Sequence, residues 1–223
     1  MSFQKTNNMN NQLQPGATIG ILGGGQLGRM LALAAHRLGL KVHIFCPDAQ
    51  SPAFEVTPHK TVADYGDMHA LEQFAKSVDL VTYEFENVPA ETAQAILGFN
   101  VPLAPGARAL ATAQDRLVEK NFIESAGVPV APFANVESQA DLENAVQTIG
   151  LPAVLKTRRF GYDGKGQLFL HKPEEVVGAF KELGENPCVL EGFVAFDREI
   201  SVIIARTAKG EIAAYDPAEN VHQ

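Results

Sequence analysis

The stretch VLKTRRFGYDGKGQ, residues 154–167, decides the fold of the second half of this chain. An apolar run ends at Lys156, a turn with three glycines, an aspartate and a second lysine follows, and a further apolar run covers residues 168–170. This order predicts a β-hairpin whose turn is rich in backbone N–H groups and poor in side-chain bulk. Because glycine allows close backbone approach and adopts positive φ, such a turn is suited to closing over a polyphosphate.

The composition is typical of a globular protein that binds small molecules rather than nucleic acid. Hydrophobic residues make up 46% of the 223, and the net charge of −8 leaves no basic stripe to replace nucleic-acid counterions. No apolar run approaches the roughly 20 residues that a membrane-spanning helix needs. Residues 1–16, rich in Asn and Gln, are predicted to be a disordered tail. Cys46 and Cys188 lie far apart and outside any CxxC pattern, so reduced thiols in a cytoplasmic protein are expected.

Strands and helices alternate in the first half of the chain. The pattern predicts strands at 17–22, 41–45, 61–63 and 80–83, and helices at 29–38, 68–76 and 89–97. Near-continuous apolar strands joined by helical crossovers are typical of a parallel sheet covered on both faces. We therefore predict an α/β, Rossmann-like domain over residues 17–106, which ends in a linker at 102–106.

The pattern changes to α+β after this linker. It predicts helices at 115–125 and 174–183, and strands that end at Lys156 and cover 168–170, 188–191, 199–206 and 211–215. The last of these strands is expected to pair with the one before it. Residues 217–223 contain no closing element, so we expect the second domain to be truncated at its C-terminal end.

A glycine motif, Gly23-x-Gly25-x-x-Gly28, follows the first strand and opens a helix. Backbone N–H groups and the helix dipole at such a terminus favour a phosphate. An NAD site would also need an acidic residue at the end of the second strand, and Asp48 lies beyond a proline there, which disfavours an oxidoreductase. A ligand with a single phosphate, or a turn with no ligand, fits the same residues.

Acidic residues follow two of the predicted strands. Glu84 and Glu86 come directly after a parallel strand, at the sheet edge where ligands bind, and Glu84 could accept ribose hydroxyls or an amine. Glu191 and Glu199 flank a second strand end. There Glu191 could bind the adenine edge, and Glu199 could accept hydrogen bonds from the ribose hydroxyls. For Glu84 and Glu86 the alternative is a solvated loop in which Asn87 caps the next helix. For Glu191 and Glu199 the alternative is two ordinary acids at strand ends.

Cations are placed on the helix at 115–125 and on the strand that follows. Arg116 and Lys120 lie one helical turn apart on one face, and could simply be solvated and paired with Asp115 or Glu119. Lys156 ends an apolar run, so its ammonium group either extends into water or meets an anion.

Together these elements resemble the ATP-grasp superfamily and, within it, the 5-(carboxyamino)imidazole ribonucleotide synthases. Three stretches carry the resemblance: ILGGGQLGRM at 21–30, TYEFENV at 82–88 and FGYDGKGQ at 160–167. The resemblance extends from about residue 17 to the end of the chain. It implies a preliminary Rossmann-like domain at 17–106, the first helix and lid of an α+β ATP-grasp domain at 107–190, and the start of its C-terminal subdomain at 191–223.

The resemblance also implies an activity and its residues. ATP and bicarbonate would carboxylate 5-aminoimidazole ribonucleotide in de novo purine biosynthesis. Catalytic roles fall on Lys156, Tyr162 and Asp163. The ribonucleotide would contact Gln26, Leu27, Tyr83 and Glu84. ATP would contact Arg116, Lys120, Lys156, Gly161, Tyr162, Asp163, Gly164, Lys165, Gly166, Gln167, Glu191, Gly192, Phe193, Val194, Glu199 and His222.

The family further implies Mg²⁺, a homodimer and metal ligands beyond Gln223, so the chain alone is expected to be inactive. Arg159 and Phe160 stand where the family often has smaller residues, which predicts a stiffer hairpin. Two alternatives keep the nucleotide site: a formate-dependent glycinamide ribonucleotide transformylase, which differs in its acceptor, and a non-catalytic nucleotide-binding module.

Overall fold

The computed structural model describes residues 13–161 and 165–221 of the chain. It separates into a larger unit, Leu13–Gly192, and a smaller one that contains residues 193–221. Within the described ranges, no helix is both long and apolar enough to cross a membrane. Leu13 packs against buried residues of the first sheet and the Gly16 N–H donates to the Gly39 carbonyl, so residues 13–16 of the predicted tail belong to the larger unit.

A four-stranded parallel sheet opens the larger unit, in the order β3-β2-β1-β4. Its strands are β1 Thr18–Leu22, β2 Lys41–Cys46, β3 His59–Val62 and β4 Leu80–Tyr83. The helices that connect and follow them are α1 Gln26–Arg37, α2 Met68–Lys76 and α3 Ala90–Gly98. The predicted α/β fold is confirmed, although α1 begins three residues earlier than expected because the glycine motif itself enters the helix.

The core of this part of the chain lies on both faces of the sheet. Leu22, Phe45 and Phe74 are fully buried on one face, and Ile21 and Ile44 on the other. Gly20 admits the Phe74 ring, since a Cβ at this position would lie 2.5 Å from Phe74 Cζ. The apolar runs of β1 and β2 are therefore continuous because these strands are covered on both faces, whereas the edge strand β3 is largely exposed.

The predicted linker at 102–106 is part of the sheet edge instead. Val81 donates to the Pro102 carbonyl and accepts from the Ala104 N–H, and Leu103 forms a parallel bridge with Val81. A helix not predicted from the sequence, α4 Ala107–Ala113, follows directly. Its alanine-rich sequence has high helix propensity but no capping side chain to mark its start.

An antiparallel sheet completes the larger unit, in the order β5-β8-β6-β7. Its strands are β5 Phe133–Val136, β6 Ala153–Thr157, β7 Gln167–Leu170 and β8 Cys188–Gly192. The helices are α5 Arg116–Ser125, α6 Gln139–Ile149, α7 Pro173–Val176 and α8 Ala179–Glu182. The predicted single helix at 174–183 is wrong, because Gly178 has φ +82° and separates α7 from α8.

The smaller unit consists of two short antiparallel pairs. β9 Glu199–Ser201 pairs with β12 Ala218–Asn220, and β10 Ile204–Arg206 pairs with β11 Ile212–Ala214. The predicted pairing of the last two strands is confirmed. The single strand predicted at 199–206 is wrong, because its two halves pair with different partners. Residues 217–223, predicted to hold no closing element, contain β12.

Candidate functional site

The first candidate site is the N-terminus of α1, where the Glu84 carboxylate lies. Its Oε1 accepts the Gly25 N–H at 2.6 Å, and its Oε2 accepts the Gly28 N–H. Glu84 reaches this position because it follows β4, which pairs in parallel with β1, and its own N–H donates to the Leu22 carbonyl. A carboxylate at a helix N-terminus is stabilised by the unpaired N–H groups and by the helix dipole.

The spacing of the three glycines follows from this carboxylate. A Cβ at Gly23, Gly25 or Gly28 would lie 2.5, 3.0 or 2.9 Å from atoms of the Glu84 side chain. Gly23 also has φ +106°, a conformation that side chains disfavour. The motif that the sequence associated with a ligand phosphate therefore surrounds a side chain of the protein itself. The solvated-loop alternative for Glu84 is wrong.

The other predicted ribonucleotide residues belong to the elements that this carboxylate joins, α1 and β4. Gln26 and Leu27 are the first two residues of α1, so their N–H groups have no acceptor within the helix. Tyr83 precedes Glu84 at the end of β4 and is half-buried, and burial raises the pKa of its phenol. All four residues predicted here therefore lie at the carboxyl edge of the parallel sheet.

Three residues near this edge were not predicted from the sequence. Ser51 is buried, and its Oγ lies 3.0 Å from Cys46 Sγ. A Cβ at Gly24 would lie 2.6 Å from Ser51 Cβ, so the glycine loop packs on this serine. Burial, followed by Cys46 and Glu84, raises the pKa of Tyr65 above its usual range. Cys46 and Ser51 could have been predicted from their positions, because Cys46 ends β2 and Ser51 follows it at the same edge of the sheet.

The second candidate site is a cluster of two lysines on one carboxylate. Lys156 Nζ lies 2.9 Å and Lys120 Nζ 3.2 Å from the same oxygen, Glu191 Oε2. The Glu191 side chain is 10% exposed, and those of Lys120 and Lys156 are 15% and 22% exposed. Two ammonium groups share this carboxylate in a partly desolvated place, which favours a bound anion, and the nearby Glu119 offsets part of their charge.

Each member of this cluster comes from a different element. β6 and β8 are neighbours in the antiparallel sheet, which brings Lys156 beside Glu191, and α5 carries Lys120. Lys120 Nζ also lies 5.8 Å from the centroid of the Phe133 ring on β5. Of the two readings of Lys156, the one in which it meets an anion is confirmed, and the solvated reading of Lys120 is wrong.

A cavity of about 300 Å³ links Arg116 to the root of the hairpin. Arg116, Glu119, Glu86 and Gly161 contribute to its lining. Burial raises the pKa of Glu119, Glu191 and Glu86 raise it further, and Arg116 and Lys120 oppose them. The cavity is thus lined by closely balanced charges of both signs.

The hairpin predicted from residues 154–167 is confirmed. Lys156 pairs with Gln167, and the Thr157 N–H donates to the Gly166 carbonyl at 2.8 Å. Gly166 has φ +71°, and a Cβ there would lie 2.6 Å from Thr157 Oγ1. Phe160 has φ +61° although it is not glycine, and its side chain is 72% exposed. Tyr162, Asp163 and Gly164 lie outside the described residues, so their predicted roles are not tested.

Family models and relatives agree on the class of this chain. Residues 16–114 match the ribonucleotide synthetase preATP-grasp domain, and residues 121–223 match the ATP-grasp domain. The chain belongs to the ATP-grasp superfamily. Curated relatives of this ATP-grasp chain are N5-carboxyaminoimidazole ribonucleotide synthases, with 52% identity in Pseudomonas aeruginosa and 42% in Bacillus subtilis. Their alignments cover 92% and 94% of the chain but 56% and 55% of the relatives, so the chain spans just over half their length.

Solved structures give the same result. The ADP complex of one N5-carboxyaminoimidazole ribonucleotide synthetase superposes with a TM-score of 0.91 at 42% identity, covering 96% of this chain and 57% of that one. The Aspergillus clavatus enzyme, in complex with ADP and 5-aminoimidazole ribonucleotide, gives 0.84 at 28% identity, covering 94% and 55%. The preATP-grasp and ATP-grasp folds inferred from the sequence are therefore confirmed.

The remaining predicted nucleotide residues of the ATP-grasp chain are in the smaller unit. Phe193 and Val194 are about half exposed, and Glu199 Oε1 accepts the Asn220 Nδ2–H at 2.8 Å across β9 and β12. His222 lies outside the described residues. Within residues 13–161 and 165–221, no group of three or more His, Cys, Asp or Glu side chains could hold a metal ion.

Proposed function

We propose that the protein containing this chain uses ATP to carboxylate 5-aminoimidazole ribonucleotide. The observation that carries the proposal is the pairing of Lys120 and Lys156 on Glu191, beside a glycine hairpin in an ATP-grasp fold. Support comes from the relatives named N5-carboxyaminoimidazole ribonucleotide synthase, and from the related structure that holds ADP and 5-aminoimidazole ribonucleotide.

The proposed reaction has two steps. A bicarbonate oxygen attacks the γ-phosphorus of ATP, the bond to the β-phosphate oxygen breaks, and carboxyphosphate and ADP form. The exocyclic amine of the ribonucleotide then attacks the carboxyl carbon, loses a proton, and displaces phosphate to give 5-carboxyaminoimidazole ribonucleotide. Phosphoryl transfer needs mainly positioning and charge stabilisation from a protein.

The nucleotide site is proposed around the lysine cluster and the hairpin. Lys156 and Lys120 would exchange part of their interaction with Glu191 for the phosphates, while the hairpin N–H groups close over them. Glu191 is then available to the adenine amine. Tyr162 and Asp163 are proposed to contact the imidazole and its amine. The other proposed ATP contacts are Arg116, Gly161, Gly164, Lys165, Gly166, Gln167, Gly192, Phe193, Val194, Glu199 and His222.

The ribonucleotide site is proposed at the N-terminus of α1. The N–H groups of Gln26 and Leu27 would bind the 5′-phosphate, and the Glu84 carboxylate would accept the ribose hydroxyls. Glu84 is suited to this role because two backbone N–H groups already fix its orientation, while each oxygen retains a further lone pair. Tyr83 would close the side of this site.

The proposal includes three domains, with bounds of 17–106, 107–190 and 191–223. It also includes Mg²⁺ as a cofactor and a cytoplasmic location. Mg²⁺ would enter with the nucleotide phosphates, whose oxygens are among its preferred ligands. A homodimer is supported by an apolar stripe along α1, formed by Met30, Leu31 and the C-cap residue Leu38, which recur at helical spacing and are exposed. Such a stripe favours burial against a second copy.

The test is an assay of ADP release by the full-length protein with ATP and Mg²⁺. Release should require both 5-aminoimidazole ribonucleotide and bicarbonate, and the product should be the carboxylated ribonucleotide. Release with formate and glycinamide ribonucleotide would instead identify a transformylase. Binding of ATP without any acceptor-dependent release would identify a nucleotide-binding module. The Lys156→Ala variant should lose release, whereas Lys76→Ala, at an exposed ion pair with Glu72, should not.

A further inference from the structure

Asp115 forms the N-cap of α5, the helix that carries Arg116 and Lys120. Its Oδ1 accepts the N–H groups of Leu117 and Val118 at 3.0 and 3.4 Å. Only 4% of the residue is exposed, which is rare for an aspartate that lacks a charged partner. The cap alone would need only one oxygen, so the second oxygen requires a separate explanation.

Arg158 supplies that explanation. Its Nε donates to Asp115 Oδ1 at 2.9 Å, and its Nη2 donates to Oδ2 at 2.6 Å. This bidentate pair fixes the orientation of the guanidinium plane and of the carboxylate plane. The third nitrogen, Nη1, lies 3.4 Å from Asn135 Oδ1 and 3.6 Å from Glu137 Oε1 at β5. Burial would raise the pKa of Asp115, but Arg158 and the two backbone N–H groups hold it below its usual value.

Backbone hydrogen bonds join the same elements. The Arg116 N–H donates to the Arg158 carbonyl at 3.0 Å, and the Arg158 N–H donates to the Pro187 carbonyl at 2.9 Å. Arg158 therefore ties the start of α5 and the start of β8 to the root of the hairpin. These three elements carry Arg116, Lys120, Lys156 and Glu191.

We infer that Asp115 and Arg158 are positioning residues that hold Arg116 and the glycine hairpin in the geometry required for nucleotide phosphates. The inference rests on the proposed function and adds to it two residues outside the predicted site. Neither side chain belongs to the lysine cluster, and both Asp115 oxygens are occupied by Arg158, with Arg159 Nε a further 3.6 Å from Oδ2. Arg158 also lines the cavity beside Arg116, but two of its nitrogens are bound to Asp115, so the pair acts through the residues that it orients. A displacement of about 1 Å in such residues is enough to cost roughly 10²-fold in rate.

Asp115→Asn in the full-length protein tests this inference, because asparagine caps a helix about as well as aspartate but cannot accept both guanidinium donors. We expect KM for ATP and Kd for ADP, measured by calorimetry, to rise about tenfold or more, with KM for the acceptor ribonucleotide unchanged. Arg158→Lys retains the charge but loses the paired guanidinium donors, so it should also raise KM for ATP and Kd for ADP. A double-mutant cycle on the Kd for ADP should show strong non-additivity.

Glu72→Gln is the matched control, since it removes the carboxylate of an exposed ion pair, and it should change neither constant. A lower melting temperature with unchanged KM for ATP and Kd for ADP would show a purely structural pair and overturn the inference. Equal losses for both substrates would also overturn it. If Asp115→Asn does not fold, Arg158→Lys decides alone. Failure of the proposed function is distinguishable, because the unaltered protein would then show no ADP release that requires both 5-aminoimidazole ribonucleotide and bicarbonate, whatever the variants do to Kd for ADP.

Discussion

The Glu84 carboxylate accepts the backbone N–H of Gly25, 59 residues earlier in the chain, at 2.6 Å. This contact joins the ends of β4 and β1, and it accounts for three glycines that would otherwise be assigned to a dinucleotide phosphate. A second oxygen of the same carboxylate accepts the Gly28 N–H, so Glu84 binds the N-terminus of α1 through both oxygens. Glu84 is therefore both a structural cap and the proposed ribose ligand.

Glu84→Gln should weaken both roles. The loss of two charge-assisted hydrogen bonds is expected to lower the free energy of unfolding by about 1–3 kcal/mol, which urea denaturation would measure. KM for the ribonucleotide should rise about tenfold while KM for ATP stays constant. Glu72→Gln, which changes an acid at an exposed ion pair with Lys76, is the control for both readouts. Unchanged stability of Glu84→Gln would contradict the capping role.

The two lysines on Glu191 should not be equivalent. Lys156→Met is expected to raise Kd for ADP at least tenfold, because this lysine lies at the root of the hairpin that is proposed to bind the phosphates. Lys120→Met should have a smaller effect, since Lys156 still neutralises Glu191 at 2.9 Å. Isothermal calorimetry with ADP would measure both. Equal effects, or a larger effect at Lys120, would show that the phosphates lie nearer to α5.

Gly166→Ala should destabilise the hairpin. Its φ of +71° disfavours a side chain by about 1–2 kcal/mol, and the added Cβ would lie 2.6 Å from Thr157 Oγ1. Gly98→Ala is the matched control, because nothing lies within 4 Å of a Cβ there and the residue is helical. We expect Gly98→Ala to be neutral or slightly stabilising in thermal denaturation. An equal melting temperature for the two variants would show that the hairpin relaxes freely.

The stability of the parallel sheet should depend on pH through His43. Burial, and to a lesser extent His59, lower the pKa of His43 to about 4, while its nitrogens contact Ser77 Oγ and Thr61 Oγ1 at 2.9 Å. Because the folded pKa is lower than the unfolded one, its contribution is complete above about pH 6.5 and is lost as pH falls towards 4. The free energy of unfolding should therefore fall between pH 7 and 5, and this slope should flatten in His43→Gln but not in His69→Gln.

The sequence predicted the strands and helices of the parallel sheet and the hairpin, but it missed α4, β5 and α6 and did not predict which side chains meet. Lys156, the hairpin and Glu191 could be found because an apolar run that ends in a charged residue marks a strand end. The Asp115–Arg158 pair could not be found, because it joins residues 43 apart through the packing of a helix on a sheet. Neither could the separation of α7 from α8, since a single glycine inside a helical pattern is compatible with a continuous helix.

The carboxylate at the start of α1 also determines what this helix can select. A bare helix N-terminus attracts any small anion, including the free phosphate that is abundant in cells. Here one negative charge already balances the helix dipole, so free phosphate gains little from electrostatics. A sugar phosphate brings hydroxyl donors as well, which turn the same carboxylate from a repulsive neighbour into a hydrogen-bond acceptor. In the proposed ribonucleotide site, the glycine loop and Glu84 together would thus make recognition of the phosphate conditional on the sugar attached to it.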